Sequence, residues 1–230
     1  APNRVQVWYH QYIQSLIQRD ILDLGDIQHP DQIGHLLKTL SIHSSQMLNY
    51  ESINHSLEIN RITAKKYISL IKQLFLIETL PAWHHHEVKR LIKTPKIHLS
   101  DTGLICALRG IDTEYLEKHP ETYGKLLETF IFNELKKQCS WYDTPLSLFH
   151  FRDKDQKEVD IIIENNLREC IAIEIKASST FRSQDLAGIE RFASVAKDNF
   201  KRGILLYDGD HSFALQNGKI LVLPFSSLWS

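Results

Sequence analysis

Two short acidic stretches stand out: Glu158-Val159-Asp160 and, further on, Ile173-Glu174-Ile175-Lys176. Both lie in runs that read as β-strands, VDIIIE and CIAIEIK. Residues two apart on a strand point to the same face, so Glu174 and Lys176 project together. An antiparallel neighbour carrying Asp160 would add a second carboxylate. Two carboxylates and a lysine at one spot suit a divalent-metal phosphodiesterase site. Carboxylates hold a hard cation that keeps waters and phosphate oxygens as its other ligands. Such a metal stabilises developing charge and acidifies bound water. The lysine can position that water or neutralise charge on the phosphorus centre. A plainer reading is a solvent-facing strand that alternates Ile with Glu and Lys. Against it, the run Ile171–Lys176 is apolar enough for a mostly buried strand, where charges are costly unless paired.

The surrounding sequence supplies elements to position these groups. Leu146 to Arg152, Glu158 to Glu164 and Glu169 to Lys176 read as three strands. A helix follows around Gln184 to Ala196, then strands at Gly203–Tyr207 and Lys219–Pro224. Ahead of them a long helix, Lys125 to Lys137, has an apolar line of Leu127, Ile131 and Leu135 and carries Glu128 and Glu134. Arg152 could contact phosphate, but a strand-end salt bridge with Asp153 or Asp155 accounts for it more simply. Asp208 and Asp210 fit turn chemistry.

The first half has a different grammar. Trp8, Tyr12 and Leu16, with Ile13 and Ile17, recur at helical spacing near the start. Ile33, Leu36, Leu37 and Leu40 predict a further helix. Asn49 is a natural N-cap for a short helix through Leu57. A turn over 57–60 leads to a helix from Arg61 to Leu74, with Ala64, Tyr67, Ile68, Ile71 and Leu74 inward. Arg61, Lys65, Lys66 and Lys72 lie mostly outside that face. A strand over 75–80 and a return strand over 96–99 bracket a loop with His84, His85, His86, Lys89, Arg90 and Lys93. This order predicts a winged helix-turn-helix. Its third helix would enter a DNA major groove, and the basic wing would touch phosphate or the minor groove. The alternative is a winged helix used for protein contacts. The three adjacent histidines cannot all face one metal, since alternate side chains diverge on a strand; they read as wing-tip surface. Asp101 reads as the N-cap of another helix.

Composition narrows the class. The formal net charge is −1, so any nucleic-acid surface must be local. Cys106, Cys139 and Cys170 are scattered, odd in number and without metal-like spacing, which argues for a reducing compartment and a cytoplasmic protein. No apolar run reaches membrane-spanning length, so no membrane partner is expected. No G-x-x-x-x-G-K-[ST] sequence occurs.

The Asp, spacer, Glu-x-Lys arrangement resembles the PD-(D/E)XK nuclease superfamily, in which a Glu on the preceding helix often completes the site. Glu128, in GKLLETFIFNEL, matches that position, and Val159 stands where the family usually has Pro. Gln184 is a weak match to a helix Gln of some such nucleases. The resemblance implies Asp160 and Glu174, with Glu128, as ligands of Mg²⁺ (or Mn²⁺), and Lys176 as the catalytic lysine. Taken with YIQSLIQRDI, KRLIKTPKIHLSDTGL and FRDKDQKEVDIII…IAIEIK, nearly all of the chain resembles the C-terminal region of a family of prokaryotic AAA-type, archaeal-ATPase-like proteins. That resemblance implies an α/β (α+β) protein. Residues 1–30 would be a helical opening segment, 31–118 the winged helix-turn-helix, and 119–230 a restriction-endonuclease-like αβββαβ core. It further implies a DNA-binding, metal-dependent nuclease-like region whose ATP would be bound by a missing ATPase module. The alternative is a silent nuclease fold that binds DNA or a protein partner for that ATPase. Lys89, Arg90 and Lys93 would join Arg61, Lys65, Lys66 and Lys72 in the nucleic-acid contact.

Overall fold

The computed structural model describes residues 2–16, 19, 30–57, 59–86, 90 and 93–229. The protein is mixed α/β and divides into two compact units. One comprises 1–79 and 96–130, the other 80–95 and 131–230.

The first unit is mainly helical. It contains α1 (Pro2–Ser15), α2 (Pro30–Ile42), α3 (Tyr50–Leu57), α4 (Arg61–Gln73), α5 (Thr102–Arg109) and α6 (Thr113–Lys118). Strands β1 (Gln46–Met47), β2 (Ile77–Leu80) and β3 (Lys96–Leu99) form a small sheet in the order β1-β3-β2. The apolar spacing of α2 becomes its buried face: Ile33, Leu36, Leu37 and Leu40 are all buried. Asn49 starts α3, its Oδ1 accepting from the N–H groups of Glu51 at 3.0 Å and Ser52 at 3.2 Å. Asn60 does the same for α4 through Thr63 N–H at 2.9 Å, and Asp101 for α5 through Leu104 N–H at 2.7 Å. These bonds satisfy amide donors that have no partner inside the helix. Phe75 closes α4 in the left-handed region, with φ 57°, and turns the chain into β2.

The residues at helical spacing in α1 divide between core and surface. Ile13 is buried, and Tyr9 and Leu16 pack against the core. Trp8 and Tyr12 are exposed and stack on each other with ring centroids 5.4 Å apart. Ile17 lies outside the described residues.

A long helix, α7 (Pro120–Ser140), belongs to the first unit through Phe130 and to the second beyond it. The second unit is built on a six-stranded sheet of β4 (Leu146–Arg152), β5 (Glu158–Asn165), β6 (Cys170–Lys176), β7 (Phe200–Tyr207), β8 (Phe213–Leu215) and β9 (Ile220–Pro224). Its order is β4-β5-β6-β7-β9-β8. β4, β5 and β6 are antiparallel neighbours, β6–β7–β9 run parallel, and β8 pairs antiparallel with β9. The short β8 is an addition to the strands expected from the sequence. The parallel step from β6 to β7 needs a crossover, supplied by a 3-10 turn (Ser183–Leu186) and α8 (Ala187–Ala196). α8 packs on the sheet with Ile189 and Phe192 fully buried. Gly188 permits the approach: a Cβ there would stand 1.8 Å from the Glu158 carbonyl oxygen.

The stretch between β2 and β3, expected as the loop of a wing, groups with the second unit, and its residues 81–83 run along the outer edge of β4. Ala82 bridges His150 in parallel; Trp83 N–H donates to the His150 carbonyl at 2.6 Å, and His150 N–H donates to the Pro81 carbonyl at 2.9 Å. Trp83 is buried, edge-on to Phe192 with ring centroids 4.9 Å apart. An exposed strand edge is a template for unwanted pairing, and this segment blunts it.

Candidate active site

β5 enters the sheet at Glu158 and β6 leaves it at Lys176, so their antiparallel pairing brings Asp160 near the Glu174–Lys176 end. Asp160 Oδ2 accepts the Ile175 N–H at 3.0 Å, and Ile175 lies between Glu174 and Lys176. Lys176 Nζ pairs with Glu174 Oε1 at 3.0 Å, the Glu174 side chain being 12% exposed and the lysine 33%. Burial pulls the Lys176 amine down, but Glu174, then Asp160 and Asp185, outweigh it and hold the pKa above its ordinary value. A raised lysine pKa keeps this amine cationic near neutrality. As it stands, it is an electrostatic and hydrogen-bonding group rather than a base.

Three of the four residues singled out from sequence therefore come together. Asp185, on the 3-10 turn ahead of α8, is the addition. Its charge acts on Lys176, and its Oδ2 accepts from Arg182 N–H at 2.8 Å. The sequence signal was faint, because Asp185 reads as an ordinary acidic residue in a first helical turn. Glu128 is engaged within the first unit, where Lys96 Nζ donates to its Oε1 at 2.8 Å. Among the described residues no three His, Cys, Asp or Glu side chains gather as a metal-holding group. What the second unit offers a cation is the hard-oxygen pair Asp160 and Glu174. That fits Mg²⁺, which is commonly held by one or two carboxylates and completed by water and phosphate oxygens.

The basic residues chosen from sequence divide. Arg61, Lys65, Lys66 and Lys72 are exposed along α4. The Arg61 guanidinium and the Lys65 ammonium sit 5.9 and 5.7 Å from the Tyr50 ring centroid, and Lys72 Nζ donates to Thr79 Oγ1 at 2.8 Å. Lys93 is exposed on the second unit, and Lys89 lies outside the described residues. Arg90 is corrected. It is 8% exposed, forms two 2.8 Å bonds to Glu164, and donates through Nε to the His84 carbonyl. A phosphate could reach it only by breaking a buried ion pair. Within the histidine triplet, His85 is held on the second unit. His85 Nε2 bonds the Val195 carbonyl at 2.7 Å, and Arg168 donates to the His85 carbonyl at 3.0 Å. The salt bridge expected between Arg152 and Asp153 or Asp155 is corrected: Arg152 meets Glu158 at 3.7 Å, while Asp153 pairs with Arg191 at 2.6 Å.

Comparison with known proteins gives the chain a family through its first half. The model of a domain of unknown function, DUF8612, matches residues 1–115. The chain belongs to the DUF8612 family. A second domain of unknown function, DUF4143, matches residues 123–228. Uncharacterized protein Mb2031c of Mycobacterium bovis and uncharacterized protein Rv2008c of Mycobacterium tuberculosis are each 28% identical over 217 residues. Those alignments take in 94% of this DUF8612 chain but 47% of each relative, so the chain spans about half the length of the curated relatives it matches. Among solved structures, a half-complex of Thermococcus gammatolerans McrB AAA+ hexamers with bound McrC aligns at 10% identity and TM-score 0.34. That alignment covers 86% of this chain and 72% of the other. Among the described residues, no helix is long and apolar enough to cross a membrane.

Proposed function

We propose that this chain is the DNA-binding, metal-dependent nuclease-like region of an AAA-type ATPase, with phosphodiester hydrolysis carried by its second unit. One observation carries the reading: Asp160 bonds the amide between Glu174 and Lys176, while Lys176 holds Glu174. Isolated charges on a half-buried strand are costly, and their convergence suits a shared ligand better than separate salt bridges. Asp160 and Glu174 would hold Mg²⁺ or Mn²⁺, while Glu128, the third carboxylate that the sequence resemblance implies, is paired with Lys96 within the first unit. The metal, when bound, supplies Lewis acidity and an acidified water. Lys176 would orient the attacking water and neutralise charge on the phosphorus centre; Asp185 would help hold it cationic.

The first unit would act as a winged helix-turn-helix. Its order of α2, β1, α3, α4, β2 and β3 agrees with that reading. Arg61, Lys65, Lys66 and Lys72 would make phosphate contacts on the first unit; Lys93, on the second unit, is proposed separately as a nucleic-acid contact. ATP would belong to the part of the parent protein outside this chain, and the compartment would be the cytoplasm.

Plasmid DNA incubated with Mg²⁺ or Mn²⁺ tests the catalytic reading. Wild type should cleave, and Asp160→Asn and Lys176→Ala should not. A second reading has a specific observation behind it: among the described residues no three-ligand group gathers. In that case the unit is a silent nuclease fold that binds DNA or a protein partner for the ATPase. Salt-dependent DNA binding without cleavage, weakened by charge reversal at Lys65 and Lys66, would establish it.

A further inference from the structure

A cavity of about 210 Å³ opens on the second unit beside the start of the β4–β5 turn. Trp83 and Phe151 give it an apolar floor, and Lys93, Arg152 and Lys154 bring three cationic side chains to its walls. Among the described residues the one carboxylate in its lining, Asp153, is already committed. Its Oδ2 accepts from Arg191 Nε at 2.6 Å, and its Oδ1 accepts from the N–H groups of Asp155 at 2.9 Å and Lys157 at 3.0 Å. The Arg191 bond, against a smaller effect of burial, holds the Asp153 carboxyl below its usual range. That acid is therefore ionised, compensated and a poor competitor for the lysines.

The cations in the lining are not committed to strong partners in the same way. Arg152 bonds Gln156 and meets Glu158 only at 3.7 Å, in a half-exposed pair. Such a pair is weak, and a guanidinium has five donors to share. Three cations beside an apolar floor attract an anion, and because the lysines are exposed the attraction is strongest at low salt. The volume falls below the 300 Å³ or more of typical drug-sized sites, which favours a compact anion. From this geometry we infer that the cavity is a phosphoryl-binding site, distinct from the Asp160–Glu174–Lys176 group and independent of whether that group is catalytic.

Calorimetry at low salt, without divalent metal, tests it with three probes: inorganic phosphate, a short 5′-phosphorylated oligonucleotide, and the same oligonucleotide without its phosphate. Phosphate should bind wild type and Asp160→Asn alike. Lys93→Ala/Lys154→Ala should lose roughly tenfold or more in affinity, as the loss of charge-assisted hydrogen bonds implies. Lys154→Glu should lose more. Both lysines are exposed, so melting temperatures should stay near wild type and show that folding is intact. Preference for the phosphorylated oligonucleotide would name a polynucleotide end as the source; equal oligonucleotides with phosphate still bound would name a free phosphate. Absence of binding by phosphate and by the phosphorylated oligonucleotide, or binding unchanged in both variants, would overturn the site. Loss of plasmid cleavage in Asp160→Asn with phosphate binding intact separates this result from the nuclease question.

Discussion

The two ends of the β5–β6 strand pair carry the same residue types and use them in opposite ways. At one end Glu164 is 5% exposed and saturated. Arg90 grips both its oxygens at 2.8 Å, Trp83 Nε1 donates at 2.7 Å, and Arg168 adds a contact at 3.3 Å. Burial pushes that carboxyl up, but the Arg90 and Trp83 bonds outweigh it and hold the pKa below its usual value. At the other end Glu174 is nearly as buried, yet its lysine is 33% exposed and Asp160 and Asp185 stand close by. Acid and base in proximity do not by themselves mark a site. A carboxylate whose oxygens are filled by buried donors is architecture; carboxylates sharing one partly exposed lysine can accept a ligand.

The largest effect that would sharpen this contrast comes from Glu164→Ala. It strands Arg90 in a buried position, and chemical denaturation should show a loss of about 3–5 kcal/mol, typical of breaking a buried pair. Gly188→Ala comes next. Its new Cβ would collide with the Glu158 carbonyl oxygen, so α8 must shift. Overpacking of this kind costs about 1–3 kcal/mol, and because the Asp185 turn leads into α8, any cleavage activity should fall with stability. If stability is unchanged, the close packing of α8 on β5 is wrong.

A pH series separates the two ends further. The folded Glu164 pKa lies below the unfolded value, so the stability it contributes is present above the unfolded value of about 4.3. It is lost as pH falls through the folded pKa. The stability gap between wild type and Glu164→Gln should therefore narrow as the solution is acidified below about pH 4; a constant gap would mean the carboxylate is not specially stabilised. Arg168→Ala should do least, within about 1 kcal/mol, because Arg168 is a partly exposed second cation on a carboxylate that Arg90 already satisfies.

Much of this was legible from sequence where periodicity carries the information. The strand bounds of β4 follow from its apolar run, and the caps at Asn49 and Asp101 follow from the side chains that bond nearby amides. Asp160, Glu174 and Lys176 were legible because a strand fixes which neighbours share a face. The place of residues 80–95 was not. Arg90 in a polar loop looks solvated until its partner, 74 residues away, is known. Trp8 and Tyr12 mark a different limit, since helical spacing shows which residues share a face but not which way the face points. Asp185 reaches Lys176 through a turn that no local pattern specifies.

The central claim is that the Asp160–Glu174–Lys176 end of the sheet is a working hydrolytic centre. Plasmid cleavage with Mg²⁺, compared between wild type and a folded Lys176→Ala protein, tests it most directly. The account predicts nicked or linear product from wild type and a loss of about a hundredfold or more in the variant, on the scale of removing one transition-state stabilising group. Equal cleavage by both, or none by either with Mg²⁺ or Mn²⁺, would contradict it.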